Sequence, residues 1–69
     1  MSVTVTVNGE ALALDEPRVS ALMRAQGMPP GARGMAIAIN GAVVPRRAWP
    51  DTTLADGDEI EIVKLFAGG

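Results

Sequence analysis

Val3-Thr4-Val5-Thr6-Val7-Asn8-Gly9-Glu10 stands near the start of the chain, and its reading decides the fold. Valine alternates with threonine, a period of two in residues that favour extended backbone. One face of a strand would carry Val3, Val5 and Val7, and the other Thr4 and Thr6. Asn8-Gly9 is the pair preferred in a two-residue type I′ turn, whose central residues both need positive φ. A hairpin therefore follows, its second strand returning through Glu10 to Leu14. The device recurs downstream. Met35-Ala36-Ile37-Ala38-Ile39 is apolar on both faces, as a central or well-covered strand is, and it meets Asn40-Gly41. Ala42-Val43-Val44 then returns before Pro45 ends the pairing.

Between the hairpins the pattern changes to a helical one. Asp15-Glu16-Pro17 places acids and a proline where a helix would begin. Val19, Leu22, Met23 and Gln26 then fall on one side at helical spacing. Gly27 supplies a left-handed stop, and Pro29-Pro30 forbid continuation. The expected helix spans residues 17–26, followed by a loop from Met28 to Gly34. After the second hairpin, Arg46 to Thr53 reads as an irregular crossing pinned by Trp49. Asp56-Gly57-Asp58 reads as a turn, and Glu59 to Leu65 as the last strand.

The order is thus ββαββ, a crossing, then a final β. One amphipathic helix packed over one mixed sheet of about five strands can bury this apolar set. The first and last strands would lie side by side, with the helix diagonal across one face. That arrangement is α+β, a ubiquitin-like β-grasp, expected as one domain over residues 1–69 with residues 66–69 as a flexible C-terminal tail.

Composition narrows the chemistry. A chain of 69 residues has room for one modest core, and domains of this size commonly lean on a disulfide or a metal. This sequence has no cysteine and no histidine, so disulfides and the common zinc sites are excluded. Its aromatics are Trp49 and Phe66 alone, so the core must be aliphatic. The same two absences remove a thiol nucleophile, a Cys/His pair and an imidazole acid or base. A net charge of −2 provides no basic stripe for nucleic acid. No apolar run approaches the ~20 residues that span a bilayer, so no membrane partner is expected. Met1-Ser2-Val3-Thr4 lacks the basic start and apolar stretch of a secretory signal, and the expected location is cytoplasmic.

Several local patterns have a plainer reading than the functional one. Gly31-Ala32-Arg33-Gly34 has the G-x-x-G spacing of some RNA-binding loops. Those loops join two helices and clamp phosphates, whereas this one precedes a strand in an acidic chain, and nucleic-acid binding is set aside. Asp56, Asp58, Glu59 and Glu61 bring four carboxylates close in sequence. A calcium loop spreads its ligands over about twelve residues and closes on a bidentate Glu. Here the acids flank a turn and then alternate with Ile60 and Ile62, which reads as a solvated face and not as a metal site. Arg46 and Arg47 read as surface charges.

The last strand holds one inconsistency. Ile60 and Ile62 share a face, and continuing that parity turns Lys64 inward and Val63 and Leu65 outward. Either a bulge shifts the register, or Val63 and Leu65 form an exposed apolar patch beside the tail. An exposed patch of this kind marks partner surfaces, and it is the preferred expectation, with Phe66 next along the chain as part of the same surface.

The chain closes on Phe66-Ala67-Gly68-Gly69. Glycine has no Cβ, so such a tail can thread a narrow channel and leave its terminal carboxylate unobstructed. That carboxylate is ionised at neutral pH, with a reference pKa of about 3.5, and it is a poor electrophile. It needs activation to an acyl-adenylate before a nucleophile can displace a leaving group. No G-x-x-x-x-G-K-[ST] loop is present to hold ATP. The tail is read as a substrate, with catalysis and ATP on a partner and no catalytic residue, bound cofactor or metal in this chain.

These residues carry a resemblance. Val5-Thr6-Val7-Asn8-Gly9-Glu10 resembles the opening of the ThiS family of sulfur carriers of thiamin biosynthesis. Ala36-Ile37-Ala38-Ile39-Asn40-Gly41, then Val44-Pro45-Arg46 and Trp49, resemble that family's central segment. Asp56-Gly57-Asp58 and Gly68-Gly69 complete a likeness over nearly the whole chain. The resemblance implies a β-grasp and a cycle of partners. An E1-like adenylyltransferase would use ATP and magnesium to adenylate the Gly69 carboxylate. A sulfur-relay protein would convert it to a thiocarboxylate, and thiazole synthase would take that sulfur into the thiazole precursor of thiamin. Gly69 would be the modified residue, with Gly68 and Ala67 giving entry to the partner sites. Phe66 departs from the pattern, where a smaller or aliphatic residue is expected. The small subunit of molybdopterin synthase carries Phe-Pro residues before its own glycine tail. This chain lacks that proline, and Val44-Pro45-Arg46 favours the thiazole reading. A third reading is a ubiquitin-like interaction or conjugation module that never carries sulfur.

With neither cysteine nor histidine to require a metal or a reductant, the isolated chain is expected to fold on packing alone. Its thermal transition should be the same with and without a strong chelator; unfolding on chelation would contradict the packing account.

Overall fold

The computed structural model describes residues 2–28 and 34–64. The Pro29-Pro30 pair, most of the G-x-x-G loop, and the tail from Leu65 to Gly69 lie outside the described residues. Within them the chain forms β1 (Val3–Val7), β2 (Glu10–Leu14), α1 (Val19–Ala25), β3 (Met35–Ile39), β4 (Ala42–Val44), a 3₁₀ helix (Arg46–Asp51) and β5 (Glu59–Lys64). Five strands make one mixed sheet in the order β2-β1-β5-β3-β4. The hairpins β1–β2 and β3–β4 are antiparallel, and β5 lies between them, parallel to β1 and antiparallel to β3.

Both turns have the expected chemistry. Asn8 and Asn40 each sit at φ 51°, followed by Gly9 at 88° and Gly41 at 85°, the positive pair a type I′ turn demands. The pairing that results, Val7 with Glu10 and Ile39 with Ala42, keeps each strand's parity intact. Val5 and Val7 of β1, Leu14 of β2, Ile37 of β3 and Ile60 of β5 are consequently all buried on one face.

Over that face lies α1, which buries Val19, Ala21, Leu22 and Met23. Seven residues are too few to form a stable helix alone, so its order comes from packing. The helix is shorter at both ends than residues 17–26. At its start, the Leu54 N–H donates to the Pro17 carbonyl at 2.9 Å, and Arg18 pairs with Thr53 in an isolated antiparallel bridge. Those backbone groups serve the crossing segment; Pro17 sits in a tight turn in which the Arg18 N–H donates to the Glu16 carbonyl at 2.9 Å, Arg18 is extended, and the helix is delayed to Val19. At its end, Gln26 is the C-cap and is exposed, not a member of the apolar face. Gly27, at φ 75°, provides the stop.

The crossing is more regular than expected. Residues 46–51 form a 3₁₀ helix whose last turn is closed by the Thr52 N–H donating to the Trp49 carbonyl at 3.1 Å. Trp49 is buried, and its Nε1–H donates to the Val44 carbonyl at 2.9 Å. The Arg46 guanidinium lies over its ring, 5.8 Å from the centroid. This Trp ties the crossing to the end of β4, the anchoring role expected of it. Leu54 follows it into the core.

Leu22 has no solvent-exposed surface and packs at the centre of the helix face. Leu22→Ala is expected to lower unfolding free energy by about 2–5 kcal/mol, read from urea denaturation. A loss below ~1 kcal/mol would mean that α1 is not the lid of this core.

Candidate functional site

The sheet has a second face, and strand parity alone assigns its residues. Opposite the core lie Thr4 and Thr6 of β1, Glu59, Glu61 and Val63 of β5, Ala36 and Ala38 of β3, and Val43 of β4. Continuous pairing from Ile39–Ile60 to Met35–Lys64 leaves no place for a bulge in β5. The parity conflict of the sequence is therefore resolved in favour of exposure at Val63, which is 52% exposed while Ile60 is 1% exposed. Leu65 and Phe66, the other two residues expected on this surface, lie outside the described residues.

Val63 is not isolated. It stands opposite Ala36 on β3, and Ala38 stands opposite Val43 on β4. Val43 is 70% exposed, and it and Val63 are the large hydrophobic residues left on the surface among the described residues. The two alanines between them are half-buried and small, so the four side chains make a low apolar patch across three strands. Toward the start of β5 the patch gives way to Glu59 and Glu61, both exposed. An apolar centre with a carboxylate rim is the composition of a partner-docking surface, not of a reaction centre. The sequence revealed Val63 through its parity. Ala36, Ala38 and Val43 join it only once the order β5-β3-β4 is known.

Of the four neighbouring acids, Asp56 and Asp58 are engaged in holding the loop before β5. Asp56 Oδ1 accepts from the Thr4 N–H at 2.7 Å. Asp58 Oδ2 accepts from the Ala55 N–H at 2.8 Å, and its Oδ1 from the Asn40 side-chain amide at 3.0 Å. Together with the Gly57 N–H, which donates to the Thr4 carbonyl at 2.8 Å, they lock the 56–58 turn against β1 just before β5 begins.

The strand that leads to the tail is held from both sides by the two turn asparagines, a role the sequence did not disclose. The Asn40 N–H donates to the Glu59 carbonyl at 2.7 Å, and Asn40 Oδ1 accepts from the Glu59 N–H at 2.9 Å. Across the sheet, the Asn8 N–H donates to the Ile60 carbonyl at 2.9 Å. The Asn8 side chain goes further along β5: Oδ1 accepts from the Ile62 N–H at 3.0 Å, and Nδ2 donates to the Ile62 carbonyl at 3.3 Å. In sequence, Asn-Gly reads only as a turn, because a side chain's partner some 54 residues away is a tertiary fact.

On the helix side, a shallow cleft is lined by Arg18, Val19, Ser20, Met23, Trp49 and Pro50. It lies on the opposite layer from Val63. No helix among the described residues is long and apolar enough to cross a membrane.

Comparison with known proteins converges on one family. The ThiS family profile matches residues 3–69, nearly the whole chain and including the glycine tail. A curated relative, the sulfur carrier protein ThiS of Escherichia coli, is 44% identical over 36 residues, which cover 52% of this chain and 54% of that protein. The match thus spans about half the length of that relative. Among solved structures, the crystal structure of the thiamine biosynthesis protein ThiS from Geobacter metallireducens superposes with a TM-score of 0.77 at 31% identity. That superposition covers 97% of this chain and all of the other.

The division between faces has a direct test in paired variants. Val63→Asp is expected to change stability by no more than about 1 kcal/mol, the span of strand propensity at an open position. Ile60→Asp, on the same strand, would bury a carboxylate without a partner and should prevent folding. Comparable loss in both would place Val63 in the core.

Proposed function

The chain belongs to the ThiS family, and from that premise we propose that it is a sulfur carrier of thiamin biosynthesis, with Gly69 as the residue that is loaded. The observation that carries this reading is the family match through residues 3–69, which takes in Gly68-Gly69 on a chain without cysteine. With no thiol available, the terminal carboxylate is the group to which sulfur can be attached. A carboxylate oxygen of Gly69 attacks the α-phosphorus of ATP in an E1-like adenylyltransferase, and pyrophosphate leaves. Magnesium and ATP belong to that partner. Sulfide-level sulfur supplied through a relay protein attacks the acyl carbon, AMP leaves, and the product is a thiocarboxylate, which thiazole synthase consumes.

The chain's own contribution is recognition and delivery, so it acts as a protein co-substrate and not as an enzyme. Val63, with Leu65 and Phe66 beyond it, forms the surface by which the partners grip the domain, and the Ala36, Ala38 and Val43 side chains extend it. Ala67 and Gly68 admit the terminus to the partner's active site, where a β-carbon would crowd a narrow channel. The location consistent with these partners is the cytoplasm.

Incubation with an adenylyltransferase of this class, ATP and a sulfur source should replace one oxygen by one sulfur in the intact mass, mapping to the last peptide. Removing Gly69, or adding one residue after it, should abolish loading without altering the fold, since misplacing a reacting group by ~1 Å can lower the rate about 100-fold. Val63→Asp should raise KM for the carrier and leave its stability near wild type. An unchanged mass for the unaltered chain would leave an interaction module as the reading. Sulfur passed to molybdopterin formation alone would move the protein to that pathway.

A further inference from the structure

The parallel pairing of β1 with β5 is short: Thr6 pairs with Glu59 and Val7 with Ile60, and there β1 ends in the Asn8-Gly9 turn. β5 runs on to Lys64. The next rung of a parallel ladder would need a carbonyl to accept from the Ile62 N–H and an N–H to donate to the Ile62 carbonyl. The backbone that could have supplied them has turned away toward β2. The Asn8 carboxamide supplies both, with Oδ1 on the Ile62 N–H at 3.0 Å and Nδ2 on the Ile62 carbonyl at 3.3 Å. A side-chain amide has the same donor and acceptor as a peptide group, and here it stands in for one. The Asn8 backbone N–H meanwhile continues the ladder on the Ile60 carbonyl at 2.9 Å.

From this geometry we infer that Asn8 is a positioning residue for the C-terminal tail: it sets the direction in which β5 delivers Gly69 to a partner's active site. The inference rests on the carrier reading above. On one side, β5 is paired with β3 as far as Met35–Lys64. On the other side, the Asn8 side chain is the contact with β5 beyond Ile60 among the described residues. Without it the end of β5 is hinged on a single neighbour. Gly69 is the seventh residue beyond Ile62, at most about 25 Å of chain away. An end of β5 held on one edge alone takes more than one direction, so the terminus meets a partner's site in the reacting pose less often, and a misplacement of ~1 Å is enough to slow a positioned reaction about 100-fold. Val63 keeps its pairing with Ala36 on β3, so the docking patch stays in place and affinity and reactivity separate.

Asn40 provides the matched comparison. It occupies the same turn position at the same φ and also bonds β5, but at Glu59, where the strand starts. Asn8→Gly and Asn40→Gly both keep the left-handed turn residue and delete only the carboxamide. The readouts are amide hydrogen exchange across β5 in the isolated protein, and steady-state ATP–pyrophosphate exchange by the adenylyltransferase with each carrier. Asn8→Gly should expose the Ile62 amide, lower kcat about tenfold or more, and leave KM within about twofold. Asn40→Gly should expose the Glu59 amide and leave kcat within about twofold. A kcat for Asn8→Gly equal to wild type, or an equal fall in both variants, would overturn the positioning role. Should Asn8→Gly not fold, Asn8→Asp keeps the acceptor for the Ile62 N–H and loses the donor, and a kcat equal to wild type in that variant overturns the role just as well. Failure of the unaltered chain to support any exchange would sink the carrier reading and the positioning role with it. Protection of the Ile62 amide by Asn8 would still be measured in that case, so the two failures are distinguishable.

Discussion

Two antiparallel hairpins cannot share one core until a strand is laid between them, and β5 is that strand. It pairs with β1 on one side and β3 on the other, and it is the last element of the chain to enter the sheet. Its inner residues, Ile60 and Ile62, complete a face already formed by Val5, Val7, Ile37 and Ile39. Closing that face requires pairing over a sequence separation of more than fifty residues, as in Val7 with Ile60, which carries a large loop-closure entropy. The closure is secured at several points. The 56–58 turn is locked to Thr4, Asn40 holds Glu59, and Asn8 holds Ile60 and Ile62.

The same placement divides the sheet into two working surfaces. Side chains alternate across a strand, so a central strand must serve the core and the solvent in turn. The inner side of β5 carries isoleucine under the short helix α1, with Trp49 and Leu54 sealing the edge. Its outer side carries Glu59, Glu61 and Val63, running from a charged start to an apolar end. Apolar exposure at Val63 is tolerable in a small domain because Ala36 and Ala38 beside it add little area. The patch lies on the C-terminal half of β5, so in the proposed function recognition and delivery share one element.

The proposed function, with the terminus as the reactive group, sets a mechanical problem. The tail must enter another protein's active site, yet it must leave the domain at a defined place and angle. A glycine end meets the first demand, and a rigid launching strand meets the second. The small size of the domain sharpens this, since the sequence has no cysteine from which a disulfide could stiffen it. Stiffness has to come from side chains already committed to turns. Asparagine suits both uses: it accepts positive φ and carries a peptide-like amide that can extend a ladder past the end of a strand.

Much of this protein was determined by local sequence. The period-two segments, the Asn-Gly pairs and the apolar spacing of Val19, Leu22 and Met23 specify two hairpins and a helix, because backbone sterics and amphipathic periodicity act within a few residues. The family resemblance and the glycine tail were equally legible, since they are properties of order along the chain. Tertiary structure decided what depends on neighbours distant in sequence. It tied Pro17 to Leu54 and Arg18 to Thr53 and shortened the helix. It ruled out a bulge by pairing β5 without interruption to β3, and it gathered Ala36, Ala38 and Val43 around Val63. It also turned two turn asparagines into grips on β5. A side chain's conformational role is written in its own residue and the next, whereas its hydrogen-bond partner is written in the strand that folding brings beside it.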